Sequence, residues 1–185
     1  FALGPASSHW APRSSRRDLA VTMRFDRPWP DDKWFGEVRA LARETETQIV
    51  TFAQVARDMP RAVSLAAALG GQYRVAPSTR HDDVDAHVRA IFADSLAVVS
   101  DRAHALILGA TEGAHPVGSA ADPQKIQRIL DAARLGGLTG SQDQLRESAA
   151  TFMNSAFDLA DAVDFARRDV AALADRIQRA IAGTE

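Results

Sequence analysis

Residues 141–182 have the sequence SQDQLRESAATFMNSAFDLADAVDFARRDVAALADRIQRAIA, which follows a helical pattern from end to end. Its apolar residues recur at alternating steps of four and three, at Leu145, Ala149, Phe152, Ala156, Leu159, Val163, Ala166, Val170, Leu173 and Ile177. A repeat of about 3.5 residues keeps one face of a helix against a neighbouring helix. The stretch therefore predicts a long helix that packs lengthwise against a partner helix, as in a coiled coil.

Other parts of the chain also follow a helical pattern. Residues 31–59 and 82–110 each place apolar side chains on one helical face, and a shorter helix is predicted at 123–133. Apolar and polar residues hardly alternate anywhere, apart from a weak alternation at 73–75, so strand signals are nearly missing. The sequence predicts an all-α fold, an antiparallel helical bundle of three long helices plus one or two short ones.

The first thirty residues differ in composition from the rest of the chain. They are rich in Gly, Pro, Ser and Arg, and their arginines outnumber their acidic residues. We expect residues 1–30 to form a basic tail, extended or disordered, in front of a single bundle domain at 31–185. Met23 is a candidate natural start, and the Ser- and Arg-rich composition also resembles that of a transit peptide.

Length and composition exclude several classes of protein. The chain has 185 residues, 46% of them hydrophobic, with a formal net charge of −2 and no cysteine. These values favour one sizeable core and argue against disulfides, thiolate chemistry and specific nucleic-acid binding. No apolar run is long enough for a membrane span. We expect a cytoplasmic protein, and the high arginine and low lysine content is typical of a GC-rich bacterial genome.

The segment at 81–87, HDDVDAH, is the densest cluster of possible metal ligands. On a helix Asp83 and His87 lie four residues apart on one face, where they can share a metal ion or form an ion pair. The repeated Glu-x-x-His spacing of di-iron bundles is absent. Two alternatives stay open, a metal site at Asp83 and His87 or a solvated helix start. No cofactor is predicted.

Three residues are candidates for binding a ligand. Residues 70–80 form the longest predicted connection inside the domain and contain the single tyrosine, Tyr73, next to Arg74. His104 lies in the sequence AHALILG, which resembles the histidine phosphotransfer signature, although the basic residue is missing and Gly109 falls one position late. The alternative for His104 is a partly buried histidine near a helix end.

The last helix also carries a candidate contact surface. Phe157 and Phe165 fall on the face opposite the 3.5-residue repeat, together with Asp161 and Arg168. A two-layer packing would leave these aromatic rings in water. Either a further helix covers them, or the four residues form a surface for a protein partner, such as a second copy of the chain.

These features favour a helical interaction or assembly protein, which self-associates through exposed helix faces, over an enzyme. The alternatives are a ligand-sensing bundle with a pocket between its helices and a metal-dependent helical-bundle enzyme. An enzyme would need a pocket lined by Glu44, Asp83 and His87, or by Tyr73 and Arg74.

Overall fold

The computed structural model describes residues 6–120, 123–135, 139–140, 145 and 159–182, and it has an α/β fold. The strands are β1 (Asp18–Thr22), β2 (Gln48–Thr51), β3 (Gln72–Tyr73), β4 (Ser95–Ser100), β5 (His115–Ser119) and β6 (Thr139–Gly140). The helices are α1 (Asp32–Glu44), α2 (Met59–Leu69), α3 (His81–Asp94), α4 (Ala103–Thr111), α5 (Gln124–Ala132) and α6 (Leu159–Ala182). The prediction of an all-α helical bundle is therefore wrong.

The strands form one parallel sheet in the order β3-β2-β1-β4-β5-β6. β1 lies at the centre and pairs with both β2 and β4. This is the strand order of doubly wound sheets that bind dinucleotides. In such sheets the chain turns away in opposite directions from the two central strands, which leaves a crevice at their carboxyl ends.

Helices cover both faces of the sheet, and each face has its own hydrophobic core. The core beneath α1 and α2 includes Leu19, Val21, Trp34, Val38, Leu65, Leu69 and Val99. The core beneath α3 to α6 includes Ala20, Phe52, Phe92, Val98, Leu106, Leu130 and Val163. Successive side chains of a strand point to opposite faces, so β1 and β4 contribute to both cores.

The stretch predicted as one helix at 82–110 contains most of α3, then β4 and most of α4. Every residue of β4 is buried, since helices cover both faces of a parallel sheet. Such a strand is a continuous apolar run without alternation, and a short run of this kind resembles a buried helix. The neighbouring β-branched residues Val98 and Val99 are typical of a strand, and they are the local sign that distinguishes β4.

The helix predicted at 31–59 begins as expected but ends early. The carboxylate of Asp31 caps α1 by accepting a hydrogen bond from the backbone N–H of Trp34 at 2.8 Å, which confirms the predicted helix start. The helix ends at Glu44, and residues 48–51 form β2 instead of continuing it. The prediction of one continuous helix to residue 59 is therefore wrong beyond Glu44.

The predicted basic tail, residues 1–30, contains the central strand β1. Just before this strand the guanidinium of Arg16 is buried. It donates to the backbone carbonyl oxygens of Phe92 at 3.1 Å, Ser95 at 2.9 Å and Glu112 at 2.8 Å. The segment in front of β1 is thereby tied to the ends of α3 and α4.

The long helix predicted at 141–182 is present as α6 from Leu159 to Ala182, and residues 146–158 lie outside the described residues. Its first turns bury Leu159, Ala162, Val163 and Ala166 in the core beneath α3 to α6. α6 thus belongs to a helical layer on a sheet, and the coiled-coil interpretation is wrong. No helix in the described part of the chain has the length and apolar character that a membrane span needs.

Candidate anion-binding site

A cavity of about 450 Å³ lies at the carboxyl ends of β1, β4 and β5. This is the crevice at which the connections from β1 and β4 diverge, where doubly wound sheets bind their ligands. The loops after the three strands and the first turns of α4 and α5 form its wall. The lining residues are Met23, Arg24, Arg27, Pro28, Asp101, Arg102, Ala103, His104, Ser119, Ala120, Lys125, Ile126 and Ile129.

Basic side chains dominate the polar part of this wall. Among the described lining residues, Arg24, Arg27, Arg102 and Lys125 are basic and Asp101 is the one acidic residue. A cleft lined mainly by one sign of charge focuses the electric field and concentrates the opposite ion. The cavity is therefore built to attract an anion.

The loop between β1 and α1 holds Arg24 at the cavity. The backbone N–H of Arg24 donates to Oδ1 of Asp101 at 2.9 Å, which fastens this loop to the residue that follows β4. The guanidinium of Arg24 forms an ion pair with Asp26 at 2.7 Å, but both side chains are about two-fifths exposed. An exposed pair of this kind contributes little to stability, so Arg24 can exchange Asp26 for a ligand at small cost.

Arg102 is held more firmly than Arg24. Its Nη2 lies 2.5 Å from Oδ2 of Asp58, a carboxylate with no exposed surface. The other oxygen of Asp58 accepts the backbone N–H of Phe25 at 3.0 Å. The Nε of Arg102 is buried and has no hydrogen-bond partner among the described residues. The ion pair with Asp58 thus holds the guanidinium in place, and the buried Nε is left without a hydrogen bond to the described residues.

Asp101 is the acidic group of the cavity. Burial raises its pKa, against the lowering effects of its hydrogen bond from the Arg24 N–H and of the charges on Arg102, Arg27 and Arg24. Its Oδ2 is buried and lacks a hydrogen-bond partner in the described part of the chain. Asp101 thus sits at the cavity with one oxygen bonded to the backbone of Arg24 and the other buried.

His104 lies in the first turn of α4 and is exposed to solvent. No side chain caps this helix start, so backbone N–H groups of the first turn are left without a capping partner. Free N–H groups and the positive end of the helix dipole both favour an anion here. The imidazole of His104 carries two ring nitrogens that can form hydrogen bonds with a ligand in the cavity.

Ser119 completes the wall at the end of β5. Its Oγ accepts a hydrogen bond from Nε1 of the buried Trp34 at 2.8 Å. A hydroxyl that accepts one hydrogen bond still has its own proton to donate. The hydroxyl of Ser119 thus joins the cations as a potential hydrogen-bond donor to a ligand.

The site differs from a dinucleotide-binding loop in one respect. The loop after β1 is MRFDRPWPD, with no glycine, whereas the dinucleotide fingerprint places three glycines there to bring the backbone against a pyrophosphate. The side chains of Arg24 and Arg27 occupy this loop instead. A guanidinium group binds phosphate and carboxylate oxygens in pairs, so this loop offers side-chain donors where the dinucleotide loop offers its backbone.

Of the predicted ligand-binding residues, the cavity includes His104 but neither Tyr73 nor Arg74. Tyr73 ends β3 at the edge of the sheet, and burial raises the pKa of its hydroxyl. Nη2 of Arg74 lies 3.8 Å from the carboxylate of Asp18. The three residues therefore do not form one site.

The predicted metal ligands have protein contacts. Oδ2 of Asp83 accepts a hydrogen bond from the hydroxyl of Ser78 at 2.5 Å, and it lies 4.0 Å from Nε of Arg80. Nε2 of His87 lies 3.4 Å from the carbonyl oxygen of Arg74. Across the described residues, no three His, Cys, Asp or Glu side chains are grouped so that they could hold a metal ion.

The predicted partner surface is described in part. Asp161 and Arg168 are exposed on α6, and Phe157 lies outside the described residues. Phe165 is half-buried, because the guanidinium of Arg134 covers its ring at 3.7 Å from the ring centre. None of the described members of this surface lines the cavity.

Sequence reasoning missed most of the site, although a signal was present. Only one residue separates Arg24 from the end of β1. Asp101 and Arg102 follow the last residue of β4 immediately. Polar residues at the carboxyl ends of two parallel strands meet at one edge of the sheet. The pattern has this meaning only once both runs are recognised as strands.

No protein-family model, curated protein or solved structure matches this chain, so its function is argued from the site alone.

Proposed function

We propose that this chain binds a small molecule that carries a phosphate group, in the cavity between the carboxyl ends of β1, β4 and β5. The observation that carries the proposal is the convergence of Arg24, Arg27, Arg102 and Lys125 on one cavity, whose described lining includes a single acidic residue. Arg24 also pairs with Asp26 and Arg102 with Asp58, but both guanidinium groups keep further N–H donors. A phosphate suits such a set, because it presents several acceptor oxygens and up to two negative charges.

The size and the chemistry of the cavity support a small molecule as the ligand. A volume of about 450 Å³ is within the usual range for such sites. Apolar side chains, among them Ile126 and Ile129, line another part of the wall and can contact the uncharged portion of the ligand. His104 and Asp101 place an imidazole and a carboxyl group beside the basic side chains, and these are residue types that general acid–base catalysis commonly uses.

The first test is titration of the full chain with inorganic phosphate by calorimetry at low ionic strength. Arg27→Met and Lys125→Met should each weaken binding about tenfold, because a hydrogen bond to a charged group contributes about 1.5–3 kcal/mol. Arg43→Met is the matched control, since Arg43 is an exposed arginine of α1 that lies outside the cavity. Unchanged binding in both cavity variants, or equal weakening in the control, contradicts the proposal.

A second candidate function is self-association through α6. Beyond Arg167 every residue of this helix is exposed, and four apolar side chains form a stripe: Val170 (41% exposed), Leu173 (49%), Ile177 (52%) and Ile181 (67%). The stripe continues the face that buries Val163. Asp169 and Arg176 lie on one flank of it, so an antiparallel pair of helices can place each beside its opposite charge in the second copy.

Sedimentation equilibrium tests this candidate. If α6 pairs with a second copy, the wild type should be a dimer at micromolar concentration, and Leu173→Glu should shift it to a monomer by burying a charge in the interface. Ala172→Glu introduces the same charge on the opposite, exposed face and should leave the dimer intact. A wild type that stays monomeric throughout, or a control that dissociates as well, argues against self-association through this stripe.

A further inference from the structure

Two aromatic side chains of the loop between β1 and α1 are exposed. Phe25 is 44% exposed and Trp29 is 46% exposed. Neither ring is among the described residues that line the cavity, but each is bonded in the chain to a residue that does, Phe25 to Arg24 and Trp29 to Pro28. The backbone of both residues is therefore continuous with the cavity wall.

The backbone around these two side chains is fixed. The N–H of Phe25 donates to the buried carboxylate of Asp58 at 3.0 Å. The guanidinium of Arg61 donates to the carbonyl oxygens of Arg27 at 2.5 Å and Pro28 at 3.1 Å, so α2 holds the loop as well. The exposed rings therefore do not belong to a loose segment, and little entropy is lost when a ligand contacts them.

Trp29 is further oriented by its neighbours. Its ring lies 5.5 Å from that of Phe35, at an angle of 43°, and the guanidinium of Arg61 lies 5.4 Å from its centre. These contacts leave almost half of the side chain in water. Among the described residues, no aromatic ring or cation stacks on Phe25, and its side chain is 44% exposed.

We infer that Phe25 and Trp29 form a stacking subsite for a ring that is joined to the phosphate of the ligand. This inference rests on the proposed function, because the phosphate among the basic side chains fixes where the ring lies. An aromatic face stacks on any flat or ring-shaped group, and this contact does not depend on the hydrogen-bond donors and acceptors of that group. The ligand class is a phosphorylated ring compound, either a nucleotide stacked through its base or a sugar phosphate stacked through its ring.

The experiment compares inorganic phosphate with AMP and with glucose 1-phosphate on the full chain. Wild type should bind at least one ring compound about fivefold or more tightly than inorganic phosphate, because stacking on an aromatic side chain contributes about 1–3 kcal/mol. Phe25→Leu and Trp29→Leu should remove this gain and leave the affinity for inorganic phosphate unchanged. Phe25→Tyr should retain the gain, because tyrosine restores an aromatic face.

The outcomes separate this inference from the proposed function. If inorganic phosphate binds but neither ring compound binds more tightly, the stacking subsite is wrong and the anion site stands. If a gain exists but survives Phe25→Leu and Trp29→Leu, the ring lies elsewhere and the inference is overturned. If inorganic phosphate does not bind at all, the proposed function fails and the inference fails with it. A gain with AMP alone identifies a base, and a gain with glucose 1-phosphate alone identifies a sugar ring.

Discussion

Arg102→Met should lower the free energy of unfolding by about 3–5 kcal/mol, the usual cost of leaving a buried charge without its partner. Asp58 has no exposed surface, and its Oδ2 lies 2.5 Å from Nη2 of Arg102. Methionine keeps the length and apolar bulk of the arginine stem but removes the cation. The carboxylate of Asp58 then keeps only the hydrogen bond from the N–H of Phe25.

Urea denaturation at pH 7 measures this effect, and a second variant isolates its cause. Asp58→Asn combined with Arg102→Met should recover much of the lost stability, because the neutral amide oxygen still accepts the N–H of Phe25 and no buried charge remains. Arg27→Met is the control. Arg27 is exposed, so its loss should change stability by less than about 0.5 kcal/mol. Equal stability of the single and double variants at Arg102 would falsify the assignment of the cost to Asp58.

The stability of the fold should also decrease as the pH falls from about 6.5 to about 4, because of His115. Burial, and to a lesser extent the positive charges of Arg13 and Arg16, lower the pKa of His115 from 6.5 to about 4. Nη1 of Arg13 lies 3.0 Å from Nε2 of His115, and an arginine can only donate, so Nε2 is the acceptor. Protonation of this nitrogen would break the hydrogen bond.

The direction of the pH effect follows from the two pKa values. Above about pH 6.5 His115 is neutral in both folded and unfolded chains and contributes no pH dependence. Between about 6.5 and 4 the unfolded chain takes up a proton that the folded chain excludes, so unfolding becomes more favourable. At 1.36 kcal/mol per pKa unit, the contribution from His115 amounts to about 3 kcal/mol when the pH reaches 4.

Denaturation of wild type and His115→Gln between pH 7 and pH 4.5 measures this contribution, since carboxyl groups that titrate in the same range affect both proteins equally. Glutamine can accept the hydrogen bond from Arg13 but takes up no proton. The stability of the variant should therefore fall less steeply than that of wild type as the pH decreases. The difference between the two proteins should change by about 2–3 kcal/mol over this range. A curve for His115→Gln that runs parallel to that of wild type contradicts the prediction.

Several local features of the structure could be read from the sequence. The capping aspartate at Asp31, the helix start that follows it and the glycine stop at Gly70, which has a φ of +69°, depend on neighbouring residues only. The same holds for α5 and for the described part of α6, whose helical periodicity is a property of the segment itself. In each case the signal lies within one or two helical turns of the residue that produces it.

The strands could not be identified in this way. β1 and β4 are buried on both faces only because α1 and α2 cover one side of the sheet and α3 to α6 cover the other. Their apolar runs lack the alternation that reveals a half-exposed strand, and parallel pairing joins segments that are far apart in the chain. The missing alternation therefore led to a helical prediction for 95–100, whereas 18–22 were placed in a tail because of the composition of residues 1–30.

The sequence by itself determined the local elements of this protein: the helices with clear periodicity, their caps and the residue types available for chemistry. Only the tertiary structure decided where that chemistry converges. Arg24, Arg102 and Lys125 belong to three connections separated by whole helices and strands, and they meet because parallel strands bring their carboxyl ends to one edge of a sheet. The physical reason is that helix periodicity and capping are set by near neighbours, whereas strand pairing and the cavity depend on contacts between distant segments.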